Sequence, residues 1–191
     1  MDDLTLIIPA KNEAESLPIV LNELKKYNYK TDIVLHSTDI DTIQVIKEYD
    51  VNIVYQDNLG YGDALIHGIK QCKTKYFCIF NADGSFNPAE INKMYEVLQA
   101  KKLDFIFASR YQASSGSEDD TMITLVGNYI FTYIGKIFFR LNISDILYTF
   151  VIGKTEQANI LDLKQKDFSF CVELPIKAKK MRMELGCINS Y

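Results

Sequence analysis

No apolar run in this chain is long enough to cross a bilayer, which excludes a helical membrane span. Positive charge is not in excess either. The formal net charge is -4, so there is no basic face of the kind a phosphate backbone needs, and a nucleic-acid partner is excluded. The cysteines, at 72, 78, 171 and 187, form no C-x-x-C pair. Neither a zinc knuckle nor a disulfide framework is indicated, and reduced, mostly buried thiols of a cytoplasmic protein fit best. The acidic start Met1-Asp2-Asp3 lacks the basic and apolar regions of a signal peptide. What the chain does have is 191 residues, 48% of them hydrophobic, enough for one substantial core and a single domain over 1–191.

The stretch that organises the rest is Phe77-Cys78-Ile79-Phe80-Asn81-Ala82-Asp83-Gly84. Four apolar residues bounded by a Gly-containing turn read as a buried strand of a parallel sheet, whose carboxyl end is where an open α/β fold binds its ligand. Asn81 and Asp83 share the parity of an extended chain, so both oxygens would face one hard divalent cation with phosphate ligands. An ordinary turn accounts for the same residues.

Before it, Leu4-Thr5-Leu6-Ile7-Ile8 reads as a strand ending at Pro9. Asn12, with Glu15 three residues on, predicts a helix cap, and Leu17, Val20, Leu21 and Leu24 an apolar stripe. Strands at Ile33-Val34-Leu35 and Val51 to Tyr55 alternate with helix-length segments, and a further strand runs over Phe105 to Ala108. That pattern predicts right-handed βαβ units and a parallel sheet. Asn58-Leu59-Gly60-Tyr61-Gly62-Asp63-Ala64 has the outline of a dinucleotide fingerprint but follows the third strand rather than the first, which argues against a nicotinamide or flavin. A glycine turn letting backbone approach a substrate and a plain helix start both fit it. Pro88 predicts another helix start.

The order of these motifs resembles family-2 glycosyltransferases of the GT-A fold, especially dolichyl-phosphate mannose synthase and related polyprenyl-phosphate sugar transferases. The resemblance is carried by Ile8 to Glu13, Asn58 to Ala64 with Gly68, Asn81 to Gly84, Ser109-Arg110-Tyr111, Ser144-Asp145 and Phe168 to Ala178. It implies an α/β GT-A fold with a mostly parallel, Rossmann-like sheet flanked by helices. Residues 1–111 would bind the nucleotide sugar and 112–191 face the acceptor. It further implies a UDP- or GDP-linked sugar donor whose diphosphate is neutralised by Mg2+ or Mn2+, because cleavage of the glycosidic bond leaves a further charge there. By position, Asp83 is the principal metal ligand with Asn81 beside it, and Pro9, Ala10, Asn12 and Glu13 line the nucleotide pocket with Gly60 and Ala82. Arg110 would face phosphate, which suits its fixed fork of donors.

Three departures stand out. Asn81 replaces the first acid of the D-x-D motif and loses a charge. Leu35-His36-Ser37-Thr38-Asp39 is shorter than the usual acidic segment and leaves His36, Ser37 and Asp39 as the nucleoside contacts. Tyr148-Thr149-Phe150-Val151 stands where many relatives carry a glycine and an arginine.

A hydroxyl acceptor would need a carboxylate base, with Asp145 or Glu173 as candidates. A lipid phosphate needs none, since its second pKa is about 6, and the resemblance favours it, leaving Asp145 to orient the acceptor or the arginine. Glu173 also reads as a capping or paired helix residue, with Lys177 four positions on. Gln112 to Thr121 reads as a loop beside the site. Met122 to Leu141 reads as a helix whose second apolar face, off the main stripe, meets a membrane surface or a partner subunit; a wholly buried apolar helix is the alternative. Leu185 to Ile188 predicts the last edge strand. The expected activity is thus inverting sugar transfer at or near a membrane surface. A nucleotidyltransferase and a non-catalytic nucleotide-sugar-binding module remain as alternatives.

Overall fold

Alternation along the first strand already sorts the molecule into layers, because successive side chains of an extended chain face opposite sides of a sheet. In the computed structural model, which describes residues 2–110 and 143–190, β1 (Leu4–Pro9) sends Leu4, Leu6 and Ile8 into one apolar layer and Ile7 into the other. The next strand in space, β4 (Tyr76–Ile79), does the same, with Cys78 on the side of Leu6, and Phe77 and Ile79 on that of Ile7. Each of these side chains is fully buried, which stabilises the fold by about 1.5–3 kcal/mol apiece relative to exposure.

The other strands are β2 (Lys30–Leu35), β3 (Asn52–Tyr55), β5 (Phe105–Ser109), β6 (Val151–Lys154) and β7 (Leu185–Asn189). All seven form one sheet in the order β3-β2-β1-β4-β6-β5-β7. Among the described strands only β6 runs against its neighbours β4 and β5; the remaining pairs are parallel, including the edge pair of β5 with β7. Helices α1 (Leu17–Leu24), α2 (Ile40–Ile46) and α4 (Glu90–Ala100) pack on the layer of Leu6, while α3 (Tyr61–Gln71), α5 (Thr155–Ile160) and α6 (Phe170–Lys180) pack on that of Ile7. The mostly parallel, helix-flanked sheet expected from the sequence is present. All four thiols are free, and burial pushes that of Cys171 up to about 12.

The first helix departs from expectation. It starts at Leu17 behind Ser16, with Pro18 in its first turn, rather than at a cap on Asn12. Asn12 instead takes a left-handed φ of 59°, a conformation Asn tolerates better than most residues. Its backbone N–H donates to Asp39 Oδ2 at 2.7 Å, and Asp39 also caps α2 by accepting from the Thr42 N–H. The loop after β1 is thereby tied to the loop after β2. The expected loop 112–121 and helix 122–141 lie outside the described residues.

Candidate active site

The carboxyl ends of β1 to β5 and the amino end of antiparallel β6 meet at one edge of the sheet, the edge where open α/β sheets bind ligands. A cleft of about 960 Å³ opens there. Of the residues singled out from the sequence, Pro9, Ala10, Asn12, Glu13, His36, Asp39, Gly60, Asn81, Ala82, Asp83 and Arg110 line it together. Ser37 is exposed away from the lining, and Thr38 takes its place. Asp145 lies outside the lining as well, fully buried behind Arg110.

The strand carrying the acidic motif ends at Ile79, so the extended parity expected for Asn81 and Asp83 is not kept. Ala82 and Asp83 form a turn, and Gly84 follows at a φ of 80°, where a side chain would be strained. Asp83 is exposed to the cleft, and its Oδ1 accepts the Ser85 N–H at 2.9 Å. Asn81 is held on both sides: its Oδ1 accepts from the Tyr61 hydroxyl at 3.2 Å and its Nδ2 donates to Ser85 Oγ at 3.1 Å. The Thr149 hydroxyl lies 2.6 Å from that of Tyr61. A phenol has one proton to give, so Thr149 donates to Tyr61 and Tyr61 to Asn81. Burial pushes the Tyr61 phenol well above its ordinary value and keeps it a donor. Beneath the turn, Phe86 stacks on Phe150 at 4.7 Å and meets Phe80 edge-on at 5.7 Å, contacts worth about 0.5–1.5 kcal/mol each beyond area burial.

Across the cleft, Arg110 Nε bonds Asp145 Oδ2 at 2.9 Å and the guanidinium carbon sits 4.8 Å from the centre of the Tyr148 ring. A buried carboxylate and an aromatic face together fix the plane of the guanidinium. At the end of β2, His36 Nδ1 lies 2.8 Å from the Thr38 hydroxyl and 3.3 Å from the Thr38 backbone nitrogen.

The comparisons with known proteins settle the family. The model of glycosyl transferase family 2 matches residues 5–158. The chain belongs to that family. Its sequence is 27% identical over 192 residues to an uncharacterised protein of Methanocaldococcus jannaschii, covering 96% of this chain and 79% of that one. It is 24% identical over 205 residues to a UDP-N-acetylglucosamine–dolichyl-phosphate N-acetylglucosaminyltransferase of Methanococcus voltae, covering 95% and 82%. Among solved structures it superposes on glucosyl-3-phosphoglycerate synthase of Mycobacterium tuberculosis in complex with Mn2+, UDP and glucosyl-3-phosphoglycerate, with a TM-score of 0.79 at 11% identity over 99% of this chain and 70% of that one. Mannosyl-3-phosphoglycerate synthase of Rubrobacter xylanophilus gives 0.76 at 13% identity over 98% and 64%. At such identities the likeness speaks for the GT-A fold.

In this family-2 glycosyltransferase the glycine turn is the expected helix start, with Gly60 at the N-cap of α3, and it has a second role that neither sequence expectation named. A Cβ on Gly60 would lie 2.2 Å from the Lys166 carbonyl oxygen, and one on Gly62 2.2 Å from that of Gln165. The backbone here approaches another stretch of the protein, and the Asp63 N–H donates to Lys166 O at 3.0 Å. Glu173 holds the same stretch from its other side, accepting the Lys164 and Gln165 N–H groups at 2.9 and 2.8 Å while pairing with Lys177 at 2.8 Å. It is a capping and paired residue outside the cleft lining.

Tyr61 and Thr149 escaped the sequence reading as site residues. Each lay in a quoted segment, but their contact spans 88 positions. It becomes visible only once β6 is known to be antiparallel.

Proposed function

We propose that this glycosyltransferase moves a sugar from a UDP- or GDP-linked donor onto a polyprenyl-type lipid phosphate, with inversion at the anomeric carbon. The observation that carries this reading is the presence, in one cleft, of an exposed Asp83 and of an Arg110 held by Asp145. An acceptor that arrives already ionised needs no base. The acceptor named for the M. voltae relative, dolichyl phosphate, supports the same class.

The donor set around Asp83 fits a hard divalent ion, Mg2+ or Mn2+, that draws most of its oxygens from substrate. Among the described residues no three His, Cys, Asp or Glu side chains are clustered to hold a metal by themselves, and the Asn81 carbonyl oxygen already accepts from Tyr61. Asp83 would be the protein's carboxylate ligand, with Asn81 oriented beside it. When bound, the ion supplies charge stabilisation to the departing diphosphate.

In the transfer, an acceptor phosphate oxygen forms a bond to the anomeric carbon as the bond from that carbon to the diphosphate oxygen breaks. The electron pair leaves with the nucleoside diphosphate. Pro9 to Glu13 and His36 hold the nucleoside, Arg110 holds phosphate, and Asp145 fixes Arg110. Residues 1–111 serve mainly the donor and 112–191 mainly the acceptor, with 122–141 as the proposed contact to a membrane surface or partner subunit. Release of UDP or GDP from a panel of sugar nucleotides, with and without Mn2+ and with a polyprenyl phosphate supplied, tests this. Donor binding without turnover under all those conditions would replace the reading with a binding module.

A further inference from the structure

Two large apolar side chains line the cleft and yet stand open to solvent. Leu59 is 62% exposed and Phe168 55%. Neither is a loose surface residue. Phe168 lies tilted against the Tyr61 ring at 5.3 Å between centroids, and the segment that carries it is fixed from both sides. On one side Gly60 and Gly62 leave no room for a Cβ between α3 and residues 165–166; on the other, Glu173 binds the amides of Lys164 and Gln165. The Asp167 carboxylate also accepts the Ser169 N–H at 2.8 Å. An aromatic ring held in water by so many fixed contacts is a ready-made apolar contact for something that enters the cleft.

Arg110 and Asp83 line the same cleft, of which the exposed Leu59 and Phe168 form an apolar lip. An amphiphile with an anionic head and an apolar tail matches both at once.

We propose that Leu59 and Phe168 form a subsite for the isoprene tail of the lipid-phosphate acceptor beyond its first unit; the proposal rests on the acceptor class given above. Tyr61 is the backing of this subsite, and its hydroxyl simultaneously holds Asn81, so the tail and the acidic turn share one support.

The chain has no tryptophan, so Phe168→Trp places a single indole at the lip. With detergent alone as the baseline, a long-chain polyprenyl phosphate is expected to shift its emission to the blue, and a single-isoprene phosphate or UDP with Mn2+ to leave it unchanged. The shift needs no turnover, so it is read even if the transfer reading fails. In a second measurement, Phe168→Ser with Leu59→Ser is expected to reduce the preference for long-chain over single-isoprene phosphate about tenfold, the worth of one buried apolar side chain. The donor KM stays where it was. Three results would overturn the proposal: no shift with the long-chain phosphate, an equal shift with long-chain polyprenol lacking phosphate, or a change in donor KM in place of the chain-length preference.

Discussion

Tyr61, at the start of α3, donates its hydroxyl proton to the side-chain carbonyl of Asn81, 3.2 Å away at the end of β4. The sequence presented Asn81 as a lost charge; the structure shows it as one member of a neutral relay that runs from Thr149 through Tyr61 to Asn81 and Ser85. Tyr61→Phe keeps the ring against Phe168 and removes only the hydroxyl. The variant should be about 0.5–1.5 kcal/mol less stable, the net worth of one hydrogen bond, and should need several-fold more Mn2+ for half-maximal transfer. In an Asn81→Ala background the same change should have no further effect on the Mn2+ requirement, because the two side chains act through one contact.

Asp83→Asn should lower transfer roughly 100-fold or more, the scale on which an enzyme loses a group that stabilises developing charge. Its carboxylate is exposed and accepts the N–H of its own turn, so thermal unfolding should hardly move. A variant that keeps near-full activity in Mn2+ would remove Asp83 from the chemistry.

Asp145 has no exposed surface and holds Arg110, whose side chain is 30% exposed. Removing one partner of such a pair costs about 3–5 kcal/mol, and Asp145→Ala should fall toward the lower end because Arg110 keeps some access to water. Arg110→Lys should retain stability better but lose activity, since a point charge does not reproduce the fork held over Tyr148. Denaturant unfolding beside steady-state kinetics separates the two.

The Glu173 carboxyl is partly desolvated, which raises its pKa, but hydrogen bonds from Lys177 and from the Gln165 and Lys164 amides outweigh that and hold it below its ordinary 4.5. A pKa depressed by folding contributes stability that is complete above the unfolded value and disappears as pH falls through the lower, folded one. Amide exchange at Lys164 and Gln165, corrected for intrinsic rates, should therefore show falling protection below pH 4.5, and Glu173→Gln should show reduced protection at neutral pH.

His36 lines the cleft, with its Nδ1 2.8 Å from the Thr38 hydroxyl. His36→Ala should raise the donor KM several-fold with little change in kcat, as read by steady-state kinetics.

The parallel part of the sheet was legible in the sequence because each strand there is an apolar run closed by a polar loop, and those loops delivered most of the cleft lining. What could not be read was anything depending on two distant segments meeting. Val151 to Lys154, as short as β3 and β4 but interrupted by Gly153, does not announce a strand, and without β6 nothing placed Thr149 near Tyr61. Asn12 misled for a local reason: its capping pattern with Glu15 is genuine as a pattern, but the Asp39 carboxylate captured its N–H first. The paired glycines were also ambiguous, because a close approach looks the same from sequence whether the neighbour is a ligand or, as here, a backbone carbonyl.

Since β6 descends where every other described strand ascends, the chain leaves β5 and rejoins β6 at one and the same rim. The interval that joins these two strands therefore begins and ends beside the cleft. Transplanting that interval from another member of the family is accordingly a route to a new acceptor preference on an unaltered scaffold.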